Sequence, residues 1–123
     1  MVASALEVNN LSKKFNGKCI INALSFELQN GNIGCFLGES GCGKTTLLRC
    51  ITGFEVIQSG SIFIDGSLVS SSSHRIPPEK RRLGMVFQDY ALFPHLTVRK
   101  NITFGLKSLP KKSRNHRAME MLD

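Results

Sequence analysis

Gly38-Glu39-Ser40-Gly41-Cys42-Gly43-Lys44-Thr45 is the stretch of this 123-residue chain whose reading decides the fold. It satisfies the spacing G-x-x-x-x-G-K-[ST] in full. With glycine near 7% of average usage, a chance match to the four fixed positions in a chain this long is roughly a one-in-several-hundred event. The flanks agree with it. Ile33-Gly34-Cys35-Phe36-Leu37 is a short apolar run that predicts a buried central strand. Lys44 to Ile51 predict a helix with Leu47, Leu48 and Ile51 on one side and Gly53 as its C-terminal cap. The glycines let backbone N–H groups converge on phosphate oxygens, and the helix N-terminus adds its positive end. Lys44 would bridge β- and γ-phosphates, and the Thr45 hydroxyl would sit on Mg²⁺.

Two competing motifs fail. A dinucleotide fingerprint starting at Gly41-x-Gly43 would need a third glycine where Thr46 stands. Ile62-Phe63-Ile64-Asp65 imitates an apolar strand ending in a metal-holding aspartate, but Gly66 follows. Asp65-Gly66 instead predicts a tight hairpin joining Ser61–Ile64 to Ser67–Val69. Working outward, residues 6–11 and 20–28 have strand-like patterns, and Ser70 to Ser73 predict a polar loop. Pro77-Pro78 begin a basic turn or short helix through Arg82. Leu83–Phe87 form a second candidate central strand with Gln88 at its end. Thr97 is a helix cap for residues up to Phe104, and Pro110 precedes a further helix containing Met119, Met121 and Leu122.

Composition limits the alternatives. Hydrophobic residues make up 41% of the chain, too many for a disordered polymer, and no apolar run approaches the ~20 residues of a membrane span. The first residues lack the basic start and apolar stretch of a signal peptide, which predicts a cytosolic address. Residues 1–73 hold five basic and five acidic side chains and residues 74–123 eleven and four, so the whole net charge of +7 lies in the last fifty. Such asymmetry can mark a polyanion partner. It also fits a chain whose acidic complement lies in sequence beyond it, and that reading is preferred, with no nucleic-acid partner. The four cysteines show no zinc spacing, and Cys19, Cys35 and Cys50 are expected to be buried thiols.

Along nearly its whole length, Leu6 to about Leu122, the sequence resembles the ATP-binding subunits of ABC transporters. Four features carry the resemblance in order: Leu11-Ser12-Lys13-Lys14-Phe15 with Gly17; the phosphate loop continued as Thr45-Thr46-Leu47-Leu48; Gly53-Phe54-Glu55 with Ser59-Gly60-Ser61-Ile62; and Arg82-Leu83-Gly84-Met85-Val86-Phe87-Gln88. The resemblance implies an α/β P-loop NTPase fold, the N-terminal part of an ABC ATPase domain: parallel core strands plus an antiparallel β-subdomain, cut within the helical subdomain. Residues 1–123 would then be a partial nucleotide-binding domain, with the P-loop at 38–45, the Q-loop around 88 and the helical subdomain starting over about 97–123.

It further implies that ATP and Mg²⁺ are the cofactors. Phe15 would stack on the base. Gly38, Glu39, Ser40, Gly41, Cys42, Gly43, Lys44, Thr45 and Thr46 would hold the phosphates. Lys44 and Gln88 would be catalytic, and Thr45 and Gln88 would face the metal. Tyr90, Leu92, Phe93 and His95 would meet an integral membrane permease subunit on the cytoplasmic side of a bacterial inner membrane. A second ATP-binding subunit would complete a dimer, with a periplasmic binding protein as an indirect partner.

The family's acidic pair, its signature sequence and its switch histidine do not occur in these 123 residues. The general base is therefore absent from this chain, which is expected not to hydrolyse ATP alone. Phe93–Gly105 and Pro77-Pro78-Glu79-Lys80-Arg81-Arg82 look like bacterial ferric-iron importers, and polyamine and sugar importers share much of both. The serine-lengthened segment between Gly66 and Pro77 tips the expected cargo towards ferric iron. The alternative of another class is a nucleotide-binding regulatory module that never hydrolyses.

Overall fold

A computed structural model describes residues 3–89 and 91–123. The chain divides into two compact units, residues 1–85 and 86–123.

The first unit is built on a four-stranded antiparallel sheet in the order β2-β1-β3-β4, with β1 Ser4–Phe15, β2 Lys18–Gln29, β3 Ser59–Ile64 and β4 Ser67–Ser71. β1 and β2 run further than their apolar patterns predict and meet at Asn16-Gly17, both at positive φ (48° and 78°), a hairpin turn whose twist suits paired strands. Asp65 (φ 49°) and Gly66 (φ 80°) make the same kind of turn between β3 and β4, so Asp65 is a turn residue. The helix α1, Lys44–Thr52, buries Leu47, Cys50 and Ile51 at helical spacing against Val8, Leu11, Ile21, Ile62 and Val69. Leu48, expected on that side, is exposed, and Cys50 takes the place.

Several expectations change. Ile33–Leu37 and Leu83–Phe87 carry no strand; among the described residues neither has a ladder partner, and Ile33, Leu37 and Val86 are 97%, 90% and 95% exposed. An apolar run signals burial on both faces but does not supply a neighbour. A hairpin brings its partner within two residues, whereas parallel strands need a long crossover to another strand. Ser70 and Ser71 belong to β4, and Ser70 is buried. Cys19 and Cys35 are exposed; only Cys50 of the three is buried.

The C-terminal end of α1 is gripped by two arginines. Arg81, 4% exposed, donates through Nη1 to the carbonyls of Cys50 (3.2 Å) and Ile51 (3.0 Å), through Nη2 to Val69 O (3.0 Å) and Ser70 Oγ (2.7 Å), and through Nε to Ile76 O (2.7 Å). Arg75 donates to Gly53 O at 2.5 Å. These cations satisfy carbonyls that a helix end leaves orphaned and oppose its negative pole. Burial and the neighbouring Arg75 pull the Arg81 pKa below its ordinary value.

The second unit holds α2, Val98–Thr103, capped by Thr97 Oγ1 accepting from Lys100 N at 3.2 Å, and α3, Lys111–Leu122, which follows Pro110. Among the described residues no helix is long and apolar enough to cross a membrane.

Candidate nucleotide-binding site

The phosphate loop leads from Phe36, whose ring meets Phe26 of β2 edge-on at 5.3 Å, into α1. Cys42 N donates to Glu39 O at 3.2 Å, closing a turn over Ser40 and Gly41. Gly43 ends the loop at φ 104°, and a Cβ there would lie 3.1 Å from Ile20 Cγ2 and 3.3 Å from Ile20 O. Only glycine combines that backbone with so close an approach to β2. Helix α1 then starts at Lys44 with no side-chain cap and no acidic residue in its first turn. The first-turn N–H groups, including those of Thr45 and Thr46, have no intrahelical acceptor, so the helix offers converging donors and a positive pole to an anion. Lys44 Nζ donates to Gly38 O and, at 3.1 Å, to Glu39 O, which lays the ammonium across the loop. A cavity of about 280 Å³ beside it is lined by Ile20, Asn22, Phe36, Leu37, Lys44 and Leu47, among others.

Phe15 ends β1 and pairs with Lys18 across the hairpin, two residues from Ile20. The strand that packs on Gly43 therefore also carries Phe15's partner, and strand geometry puts Phe15 about 7 Å along the hairpin from Ile20. Its ring is 39% exposed and lies under the Lys13 ammonium, 4.8 Å from the centroid. Lys13 is buried and paired with Glu55 at 3.3 Å. Sequence reading missed both this pair and the Asn16-Gly17 turn. The turn carried a readable signal, since Asn-Gly between alternating strands is the strongest short-range hairpin mark.

In the second unit, Gln88 is exposed in a turn with Asp89, and Tyr90 lies outside the described residues. Leu92 is exposed, while Phe93 packs on Phe104 (4.6 Å) and edge-on to His95 (5.9 Å). Asn101 knots this segment. Its Oδ1 accepts from Phe93 N at 2.9 Å, and its Nδ2 donates to the carbonyls of Phe93, Leu96 and Thr97 at 3.2, 3.2 and 3.0 Å. That structural role was also missed; a single asparagine gives no sequence signal for it. Among the described residues no group of three or more His, Cys, Asp and Glu side chains could hold a metal ion.

The sequence profile of the ABC transporter family matches residues 21–123. This chain belongs to the ABC transporter family. Its similarity to named ABC proteins is broad. It is 46% identical over 119 residues to the putrescine transport ATP-binding protein PotG of Escherichia coli K12, covering 95% of this chain and 30% of that protein. It is 42% identical over 124 residues to the spermidine/putrescine import ATP-binding protein PotA of Thermotoga maritima, covering 99% and 33%. It is 43% identical over 121 residues to the Fe(3+) ions import ATP-binding protein FbpC 2 of Haemophilus influenzae, covering 94% and 34%. The chain thus spans about a third of the length of these relatives. Among solved structures, CbiO1 of Clostridium perfringens, part of the ABC transporter complex CbiONQ, superposes with a TM-score of 0.75 at 27% identity, over 93% of this chain and 47% of that one. The fold is accordingly that of an ABC ATPase domain over the part this chain covers.

Proposed function

We propose that this chain is the ATP-binding portion of the ATPase subunit of an ABC importer. The observation that carries the reading is the start of α1: a helix N-terminus with no cap and no first-turn acid, behind a glycine pressed onto β2, with Lys44 lying over it. That donor set fits a nucleotide triphosphate. The backbone of Gly38 to Thr46 takes the phosphates, Lys44 the β- and γ-oxygens, and Phe15 the base. A Mg²⁺ ion bound with the nucleotide would neutralise phosphate charge; the Thr45 hydroxyl would offer it a neutral oxygen, which suits an ion that keeps waters and phosphate oxygens among its ligands.

Residues 38–45 then serve as the P-loop, the region of Gln88 as the Q-loop and residues 97–123 as the start of the helical subdomain. Tyr90, Leu92, Phe93 and His95 form the face for a membrane permease on the cytoplasmic side of the inner membrane. A second ATP-binding subunit and, indirectly, a periplasmic binding protein complete the machine. With no acidic pair for water activation in its sequence, this chain by itself binds ATP without turning it over.

The relatives named above support a polyamine as cargo, two of the three being putrescine or spermidine proteins. Ferric iron is the second reading, supported by the FbpC 2 likeness. Its other support weakens, since half of the Ser70–Ser73 run lies in β4. Titration with a fluorescent ATP analogue and Mg²⁺ tests the binding role: saturable binding lost in Lys44→Ala supports it, and binding indifferent to Lys44 overturns it. Uptake of labelled putrescine against ferric iron by the assembled transporter, with and without Lys44→Ala, decides the cargo.

A further inference from the structure

We propose that Lys13, held in place by Glu55, is a positioning residue that fixes the Phe15 ring and so sets how tightly the site grips a nucleobase; this rests on the reading of Phe15 as the base platform. Lysine is almost never buried unless paired, yet Lys13 is 3% exposed. Its ammonium sits between two groups, the Glu55 carboxylate at 3.3 Å and the face of Phe15 at 4.8 Å from the centroid.

Lys13 and Phe15 are two apart in β1 and therefore share one face of the strand. Phe15 is the last residue before the Asn16-Gly17 turn, where an aromatic side chain with no fixed neighbour would exchange rotamers. The cation restricts it. With one π-face taken by Lys13, a base has the other to stack on, and the ring's electron density is drawn towards the ammonium. Glu55 is itself tied to the phosphate-binding helix, its N–H donating to Arg49 O of α1 at 3.2 Å. One helix therefore carries Lys44 at its front and, through Glu55 and Lys13, the base platform at its back.

The test compares ATP with inorganic tripolyphosphate, which has the phosphates without the base, by calorimetric titration of the full chain with Mg²⁺. Lys13→Met is expected to weaken ATP about 3- to 30-fold, between the values of an exposed and a desolvated cation–π contact, and to leave tripolyphosphate unchanged. Lys13→Arg should retain the ATP preference. Phe15→Ala should abolish it, and adding Lys13→Met to Phe15→Ala should then change nothing further. Should Lys13→Met fail to fold, Glu55→Gln, which frees the ammonium from its anchor, is expected to lower the ATP-to-tripolyphosphate preference in the same direction. An unchanged preference in the folded Lys13 or Glu55 variant, with Phe15→Ala still abolishing it, overturns the positioning role alone. An unchanged preference in Phe15→Ala overturns the base platform and the proposal with it.

Discussion

The Arg81 guanidinium passes so close to Gly53 that a Cβ built on that glycine would lie 2.7 Å from Arg81 Nε and 2.9 Å from Cζ. Gly53 is the left-handed cap of α1 (φ 95°), its N–H donating to Arg49 O, and Arg81 takes the carbonyls of Cys50 and Ile51 just before it. The helix that begins at the phosphate loop is thus ended by a glycine and an arginine that require each other.

Gly53→Ala adds both a positive-φ penalty and a clash with a buried side chain. It is expected to destabilise the first unit by about 1–3 kcal/mol, read as a lowered midpoint in urea unfolding. Arg81→Met should cost more, about 2–4 kcal/mol, because four carbonyls and the Ser70 hydroxyl lose their donor while buried. A Gly53→Ala penalty that is as large in the Arg81→Met background as in the parent would contradict the clash.

On the proposed role of Lys44, Lys44→Ala would remove charge-assisted bonds to phosphate, for which about 1.5–3 kcal/mol is usual, so ATP affinity should fall roughly 10- to 150-fold. Thermal unfolding should hardly move, since the ammonium's partners are two exposed loop carbonyls. Equilibrium dialysis and a melt on the same sample check both halves.

Burial pushes the Cys50 thiol up from 9.0 to about 11, against a smaller opposing effect of the Lys13 charge. The folded state therefore keeps its proton where the unfolded chain has lost it. Stability from this group is full below pH 9 and falls between about pH 9 and 11. Cys50→Ala should flatten that alkaline slope. A disulfide-exchange reagent at pH 8 should label Cys19, Cys35 and Cys42 quickly and Cys50 only on unfolding, since three thiols are exposed and one buried. Rapid labelling of all four would refute the buried assignment.

Asn101→Ala deletes four hydrogen bonds that hold Phe93 to Thr97. Faster amide exchange is expected at Phe93, whose N–H loses its acceptor, while α3 protection is retained. On the proposed reading of Leu92 and Phe93 as a permease face, the same variant should weaken permease association, measured by co-purification, as should Leu92→Glu.

How much of this was legible varies by residue. The phosphate loop, its helix and the Gly53 cap were readable because each depends on local conformation: glycine where φ must be positive, good helix formers where the chain coils. Asp65-Gly66 was readable for the same reason, and Asn16-Gly17 carried an equal signal. Arg81 was not readable. A basic residue in a run of basic residues gives no hint of burial, and its acceptors lie as far as 31 positions away. Lys13 is similar, since its partner Glu55 is 42 positions further on.

The sequence by itself determined the family and the glycine loop that opens α1, because eight consecutive residues with fixed spacing dictate a backbone that presents N–H groups at a helix start. Tertiary structure alone decided which charges are buried, which cysteine is protected, and that Ile33–Leu37 and Leu83–Phe87 have no ladder partner among the described residues. Burial and strand pairing depend on what other parts of the chain bring alongside, and a local pattern of residue types records only the preference.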